Sequence, residues 1–260
     1  MKTVLIGAGN LASNLAPALR KAGHDIVAVY SRTRQSAEAL ATEVGARATD
    51  CIDDLPTEAD LFIIAVKDTC VETLIPQLAK GRQQQLFVHT AGSLPMALFE
   101  GHTARYGVFY PMQTFSRQRR VDFSEIPLFL EASDAQTLQR LHELADSLSQ
   151  QVYDLSSADR RHLHLAAVYA CNFANHCFAL SADILERHGL PFSVMLPLID
   201  ETARKVHSLH PRDAQTGPAV RFDQNVMQKH LQLLAGEPLL SQIYELLSQS
   251  IHQTAINTQH

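Results

Sequence analysis

Gly7-Ala8-Gly9-Asn10-Leu11-Ala12 closes the first apolar run, Lys2–Ile6, and opens a helical pattern. In a G-x-G-x-x-A turn placed there, Gly7 makes the tight turn and Gly9, lacking a Cβ, lets a pyrophosphate approach the backbone. Ala12 lets the helix pack close to the strand, and the helix N-terminus offers free N–H groups and a partial positive charge. The spacing reads as a dinucleotide cradle with Gly7, Ala8, Gly9, Asn10 and Leu11 as its contacts. The competing reading is a turn of the same type that has lost its ligand. The second apolar run ends in Ser31-Arg32-Thr33-Arg34, where an NAD site carries Asp or Glu for the ribose 2′-OH. Hydroxyls and guanidinium groups suit a 2′-phosphate that a carboxylate would repel, so NADP is expected over NAD. Otherwise Arg32 and Arg34 are solvated surface charges.

Val66-Lys67-Asp68-Thr69 and His89-Thr90-Ala91-Gly92-Ser93 follow two further apolar runs, at the carboxyl ends of strands, where open α/β sheets bind ligands. Val66, Lys67 and Asp68 are read as cofactor contacts, with helix capping as the alternative for Asp68 and Thr69. His89 and Ser93 are read as lying near the reacting carbon, against a plain strand-end role. The stretch from His162 to His176 sets His164, Val168, Asn172 and His176 four residues apart, and Asn175 close to His164 in direction, on an α-helical count. Buried polar groups need partners. The row is read as one wall of a substrate pocket, with His164 as general acid/base, Asn172 orienting it, and Asn175 and His176 touching substrate. Helix–helix hydrogen bonding is the alternative. In Gln215–Asp223, Thr216 and Arg221 are candidate substrate contacts, Arg221 anchoring an anion unless it pairs with Asp223.

These residues need a scaffold that brings strand ends together. Apolar runs at 2–6, 26–30, 61–66 and 86–89 alternate with helical patterns at 11–22, 35–44 and 71–78, which argues a parallel sheet with helices on both faces. Short strands are expected at 108–110, 128–131 and 152–155, with a helix at 137–148. Beyond that the pattern is helical: 158–188, 195–209, 226–234 and 239–251. The fold class is α/β, a Rossmann-type mostly parallel sheet domain (residues 1–155) followed by an all-α domain (156–260).

The 260 residues are 46% hydrophobic and 19% charged, with a net charge of −5. Disorder is excluded, and a nucleic-acid partner is disfavoured because phosphate neutralisation wants a basic surplus. No apolar window approaches the roughly 18 residues of a membrane span, and the first run is too short for a signal peptide, so a cytoplasmic location and no membrane partner are expected. The four cysteines and 13 histidines show no metal-ligand spacing; no metal is expected, and the cysteines are read as small core residues.

The stretches Ile6–Asn10, Phe62–Asp68, His89–Ser93, Phe109–Ser116, His164–His176 and Thr216–Asp223 together resemble a bacterial family of NADP oxidoreductases joining a Rossmann domain to a helical domain of unknown function. More distantly the chain is similar to pyrroline-5-carboxylate reductases, β-hydroxyacid dehydrogenases and ketopantoate reductases. The resemblance implies NADP, a cleft between domains and a homodimer through the helical domain. β-Hydroxyacid dehydrogenases place a Lys with an Asn one turn later on the long helix. Here no Lys lies between Leu155 and His188, and His164 is the nearest substitute. Where some members of the resembled family carry His before Pro-Met, this chain has Tyr110. Thr216-Gly217-Pro218 is a positional analogue of the loop that contacts the substrate carboxylate in pyrroline-5-carboxylate reductases.

The expected function is NADP-dependent hydride transfer on a small, anionic keto/hydroxy or imino/amino substrate. The rival is a non-catalytic NADP-binding sensor or assembly module, which would need no acid/base. A third reading is an enzyme pairing NADP with a deazaflavin.

Overall fold

The computed structural model describes residues 1–257. They form two compact units, Met1–His176 and the described residues from Cys177 onward.

The first unit is built on an eight-stranded sheet in the order β3-β2-β1-β4-β5-β6-β7-β8. The strands are β1 (Lys2–Ile6), β2 (Asp25–Tyr30), β3 (Arg47–Thr49), β4 (Leu61–Ile64), β5 (Leu86–His89), β6 (Arg105–Pro111), β7 (Leu128–Ala132) and β8 (Val152–Asp154). Every neighbouring pair is parallel except β6 with β7. Helices α1 (Asn10–Lys21), α2 (Arg34–Val44), α3 (Asp68–Ala79) and α4 (Ala135–Asp146) cover the sheet. Because side chains alternate along a strand, Leu5, Ile63 and Val88 join the α1/α2/α4 core, while Val4, Ile64 and Phe87 join the α3 core. Burial on both faces explains why β4 and β5 read as unbroken apolar runs. The sheet reverses its order at β1 and β4, the switch point beside whose carboxyl ends open α/β sheets bind ligands.

From Ser157 onward the described chain is helical: α5 (Ser157–Ala167), a π-helical segment (Val168–Phe173), α6 (Ala174–Arg187), α7 (Leu196–Lys205), α8 (Pro211–Ala214), α9 (Gln224–Leu233) and α10 (Pro238–Asn257).

Three expectations are corrected. β3 is a strand that the sequence pattern missed. The helix expected across 158–188 contains six residues of π-helix, whose i→i+5 hydrogen bonds put an extra residue into each turn. The four cysteines are free thiols and none is buried, so they are not core residues. No described helix is long and apolar enough to cross a membrane.

Candidate functional site

The β1–α1 turn meets its chemical requirement. Gly7 has φ +117°, and a Cβ there would lie 2.3 Å from the carbonyl oxygen of Ala65 after β4, so the two strand ends approach closely only with glycine. A Cβ on Gly9 would meet open space, which leaves the backbone accessible from a cavity of about 910 Å³. Of the expected cofactor contacts, Gly7, Ala8, Gly9, Asn10, Leu11, Ser31, Arg32, Thr33, Val66, Lys67 and Asp68 line that cavity. The exception is Arg34, which turns away to Glu38 (2.8 Å) and Asp50 (3.8 Å). Its proximity to Glu38, one helical turn on, outweighs its place beside Arg32. The group that fits is a dinucleotide: a glycine turn at a helix N-terminus, hydroxyls and a guanidinium at the end of β2, and no carboxylate among Ser31–Arg34.

Ala91 lines the same cavity, and the next residue, Gly92, packs on His164 of α5. A Cβ on Gly92 would fall 2.5 Å from Nδ1 of that imidazole. His164 Nδ1 is 3.0 Å from Tyr110 Oη at the end of β6, and the rings meet edge to face. Burial pushes the Tyr110 phenol above its ordinary value, outweighing the nearby Arg160 guanidinium, so it stays protonated near neutral pH. With Tyr110 as donor, the proton of a neutral His164 ring is assigned to Nε2. Ser93 Oγ donates to Asp68 Oδ2 across the β5 and β4 ends. Tyr110, Ser93 and Asp68 come from the ends of β6, β5 and β4, and His164 approaches on α5.

His164 is positioned by a buried ion pair one turn earlier. Arg160, 1% exposed, donates to Glu131 on β7 at 2.7 Å and to the Leu94 carbonyl beyond the β5 loop. Ser157 N and Oγ also donate to Glu131. Burial alone would raise the Glu131 carboxyl, but the Ser157 hydroxyl and Arg160 outweigh it and hold it below its ordinary value. The sequence reading missed Arg160, and passed over Tyr110 where a relative's His was sought. The signal for Arg160 was its place four residues before His164.

His89 is not where the sequence reading put it. Strand alternation turns it onto the face of Phe87, stacked 5.8 Å from Phe99 and fully buried. Its Nδ1 accepts from Ala91 N at 3.2 Å and its Nε2 has no well-formed partner. Burial, then the Arg160 charge, lowers its pKa to about 4. The unfolded chain therefore takes up this proton below about pH 6.5, and the folded chain resists until about pH 4. Stability contributed by neutral His89 should fall by about 3 kcal/mol as pH drops through that window. Urea unfolding at pH 7 and pH 4.5 measures this, and His89→Leu should flatten the difference. An unchanged slope in the variant would show that other groups carry it.

The expected helical row is not assembled as written. Asn172 lies in the π-helical segment, so the α-helical count from His164 does not carry through it. Asn172, Asn175 and His176 are exposed, so no burial penalty obliges them to find protein partners. Thr216 and Arg221 lie in the second unit, in the loop before α9, both exposed. Asp223 is engaged in capping Val226 N at 3.3 Å rather than in pairing with Arg221. No group of three His, Cys, Asp or Glu side chains able to hold a metal occurs among the described residues.

Comparison with known proteins places the chain in a family. Residues 2–92 match the family model described as NADP oxidoreductase, coenzyme F420-dependent, and residues 126–251 match a domain of unknown function (DUF2520). The crystal structure of the putative NADP oxidoreductase of Bacteroides fragilis is 55% identical, with TM-score 0.94 over 97% of this chain and 98% of that one. An imine reductase from Myxococcus stipitatus in complex with NADP+ shares 17% identity and TM-score 0.71 over 100% and 96%. A 1-pyrroline-5-carboxylate reductase from Streptococcus pyogenes shares 17% and 0.65 over 97% and 98%. These last two show a shared fold. No curated protein matches the chain.

Proposed function

We propose, from the premise that this chain belongs to the NADP oxidoreductase family with a C-terminal DUF2520 domain, that it is an NADP-dependent reductase of a small carbonyl or imine compound. The observation that carries the reading is the His164–Tyr110 pair, with His164 packed on Gly92, one residue beyond Ala91 in the cavity lining. Gly7–Leu11 would hold the pyrophosphate, and Ser31, Arg32 and Thr33 the 2′-phosphate. A bound nicotinamide supplies the hydride. In its protonated form His164 gives the Nε2 proton to the nitrogen or oxygen that becomes basic on reduction and is left as the neutral ring, and Tyr110 supports the imidazole from Nδ1. Ser93, held by Asp68, is a second polar contact at the same end. The substrate is taken to be anionic, in the keto/hydroxy or imino/amino class; Arg221, in the second unit, is exposed and not paired with Asp223.

We also propose a homodimer. Within residues 177–257 Ala219 and Ser248 are the buried side chains, whereas Leu190, Val194, Leu196, Leu198, Leu239 and Leu246 are largely exposed. Helices with so little buried surface need a covering layer, and a second copy supplies one.

The test is a titration of the purified protein with NADPH and NADH, followed by a screen of 2-keto acids and cyclic imines for NADPH oxidation. Micromolar NADPH binding with much weaker NADH binding, and turnover of one of these compounds, is the expected result. NADPH binding without turnover of any of them would leave the sensor reading standing in its place. Light scattering of the same sample should give twice the mass of one chain; the mass of a single chain would overturn the dimer.

A further inference from the structure

We propose that Arg117 is a clamp on the dinucleotide pyrophosphate, carried to the glycine turn by a strap that the β6–β7 connection lays across α1 and α2. The proposal rests on the dinucleotide reading above and adds to it a cation contributed by a distant segment.

The strap is tied on both sides of Arg117. Asn14, buried on α1, donates through Nδ2 to the Ser116 carbonyl at 2.9 Å and accepts at Oδ1 from Val121 N at 3.3 Å. Arg120 grips Glu43 of α2 with both carboxylate oxygens, at 2.7 and 2.8 Å. Phe115 stacks on Phe123 at 5.9 Å and packs against the α1/α2 core. Between these ties Arg117 reaches 109 positions back along the chain and donates through Nη2 to the Ala8 carbonyl, inside the glycine turn.

A guanidinium has five N–H donors and a permanent charge. Here one donor goes to a neutral carbonyl, and no ion pair engages Arg117 among the described residues. Glu43, which lines the smaller pocket beside Arg117, is taken by Arg120. Arg117 lines the same cavity as Gly7–Leu11 and also a smaller adjoining pocket of about 170 Å³. The turn itself brings neutral backbone N–H groups and the fractional charge of one helix end, against two charges on a pyrophosphate. A full positive charge beside Ala8 supplies what the turn lacks. The position also distinguishes its target: Arg117 contacts the turn, whereas Arg32 sits with Ser31 and Thr33 at the end of β2, where a 2′-phosphate belongs.

The experiment compares wild type, R117Q and R117K by titration with both NADPH and NADH, with thermal melting of each ligand-free protein. R117Q keeps an amide donor for the Ala8 carbonyl but removes the charge. It should weaken NADPH and NADH by the same factor, about tenfold or more, because the pyrophosphate is common to both. R117K should recover part of that loss, and the ligand-free melting temperatures should agree. A loss confined to NADPH would reassign Arg117 to the 2′-phosphate and overturn the proposal. Unchanged affinities in R117Q would overturn it too, as would a loss matched by a lowered melting temperature and not restored in R117K, which marks a structural tie. Wild-type protein that binds neither nucleotide would overturn the dinucleotide reading along with the clamp, a result distinct from failure of Arg117 alone.

Discussion

Replacing His164 with alanine should lower turnover about 100-fold or more while leaving NADPH affinity nearly unchanged. The separation follows from where the ring lies. His164 does not line the dinucleotide cavity, but it packs against Gly92, the neighbour of a residue that does. Its loss removes a proton donor without touching the groups that hold the cofactor. Tyr110 provides the control. Its phenol is kept protonated by burial and bonds His164 Nδ1 at 3.0 Å, so Tyr110→Phe removes support for the imidazole and leaves Nε2 in place. The phenylalanine variant should therefore be the milder of the two and should shift the pH profile of turnover. The measurement is kcat for NADPH oxidation with the substrate found by the keto and imine screen, beside the NADPH binding constant. Full turnover in the His164 variant would exclude it as the acid. A more severe defect in Tyr110→Phe than in His164→Ala would pass that role to the phenol.

The two outcomes for histidines in this unit show what the sequence could carry. The glycine turn was legible because strand, turn and helix start are contiguous, and each residue's function there depends on its own geometry. Arg32 was legible and Arg34 was not: both stand beside the site in sequence, but Glu38 one turn along α2 captures the second. His89 ends a strand, which suggested a ligand contact, yet the alternation that buries Phe87 buries it too. His164 is singled out by its chemical type, but its partner, Tyr110, is 54 positions away on β6 and stands out in the sequence only as a departure from the resembled family. Asn172 was placed by an α-helical count that the π-helical segment interrupts, and no residue pattern in an Ala-rich stretch announces such a widening. β3 escaped because its three residues, Arg-Ala-Thr, at the sheet edge show no apolar period. Arg117 escaped because its contact spans 109 positions.

Glu131→Ala should cost about 3–5 kcal/mol of folding stability, more than trimming an exposed ion pair would. Arg160 is 1% exposed, and its Nε already lacks a hydrogen-bond partner. Removing Glu131 takes away the one carboxylate that pairs with it in the structure and leaves a buried charge facing the Leu94 carbonyl and Ser157. The carboxyl is held below its ordinary value of 4.5. The pair is therefore at full strength at neutral pH and fails only as acid drives pH down through that lowered folded value. Replacing both partners with apolar residues, Glu131→Leu with Arg160→Met, should recover much of the loss, because no charge is then left unpaired. Urea unfolding of the two single variants and the double variant separates the terms, and wild-type stability in Glu131→Ala would show the pair to be inert. The double variant also tests positioning. It restores packing but not the Arg160 tie to the β5 loop, and His164 stands one helical turn beyond that tie. Such a protein should be stable and bind NADPH, and still turn over slowly. If the apolar pair restored kcat together with stability, the ion pair would be serving the fold alone, and the placement of His164 would rest on Gly92 and Tyr110.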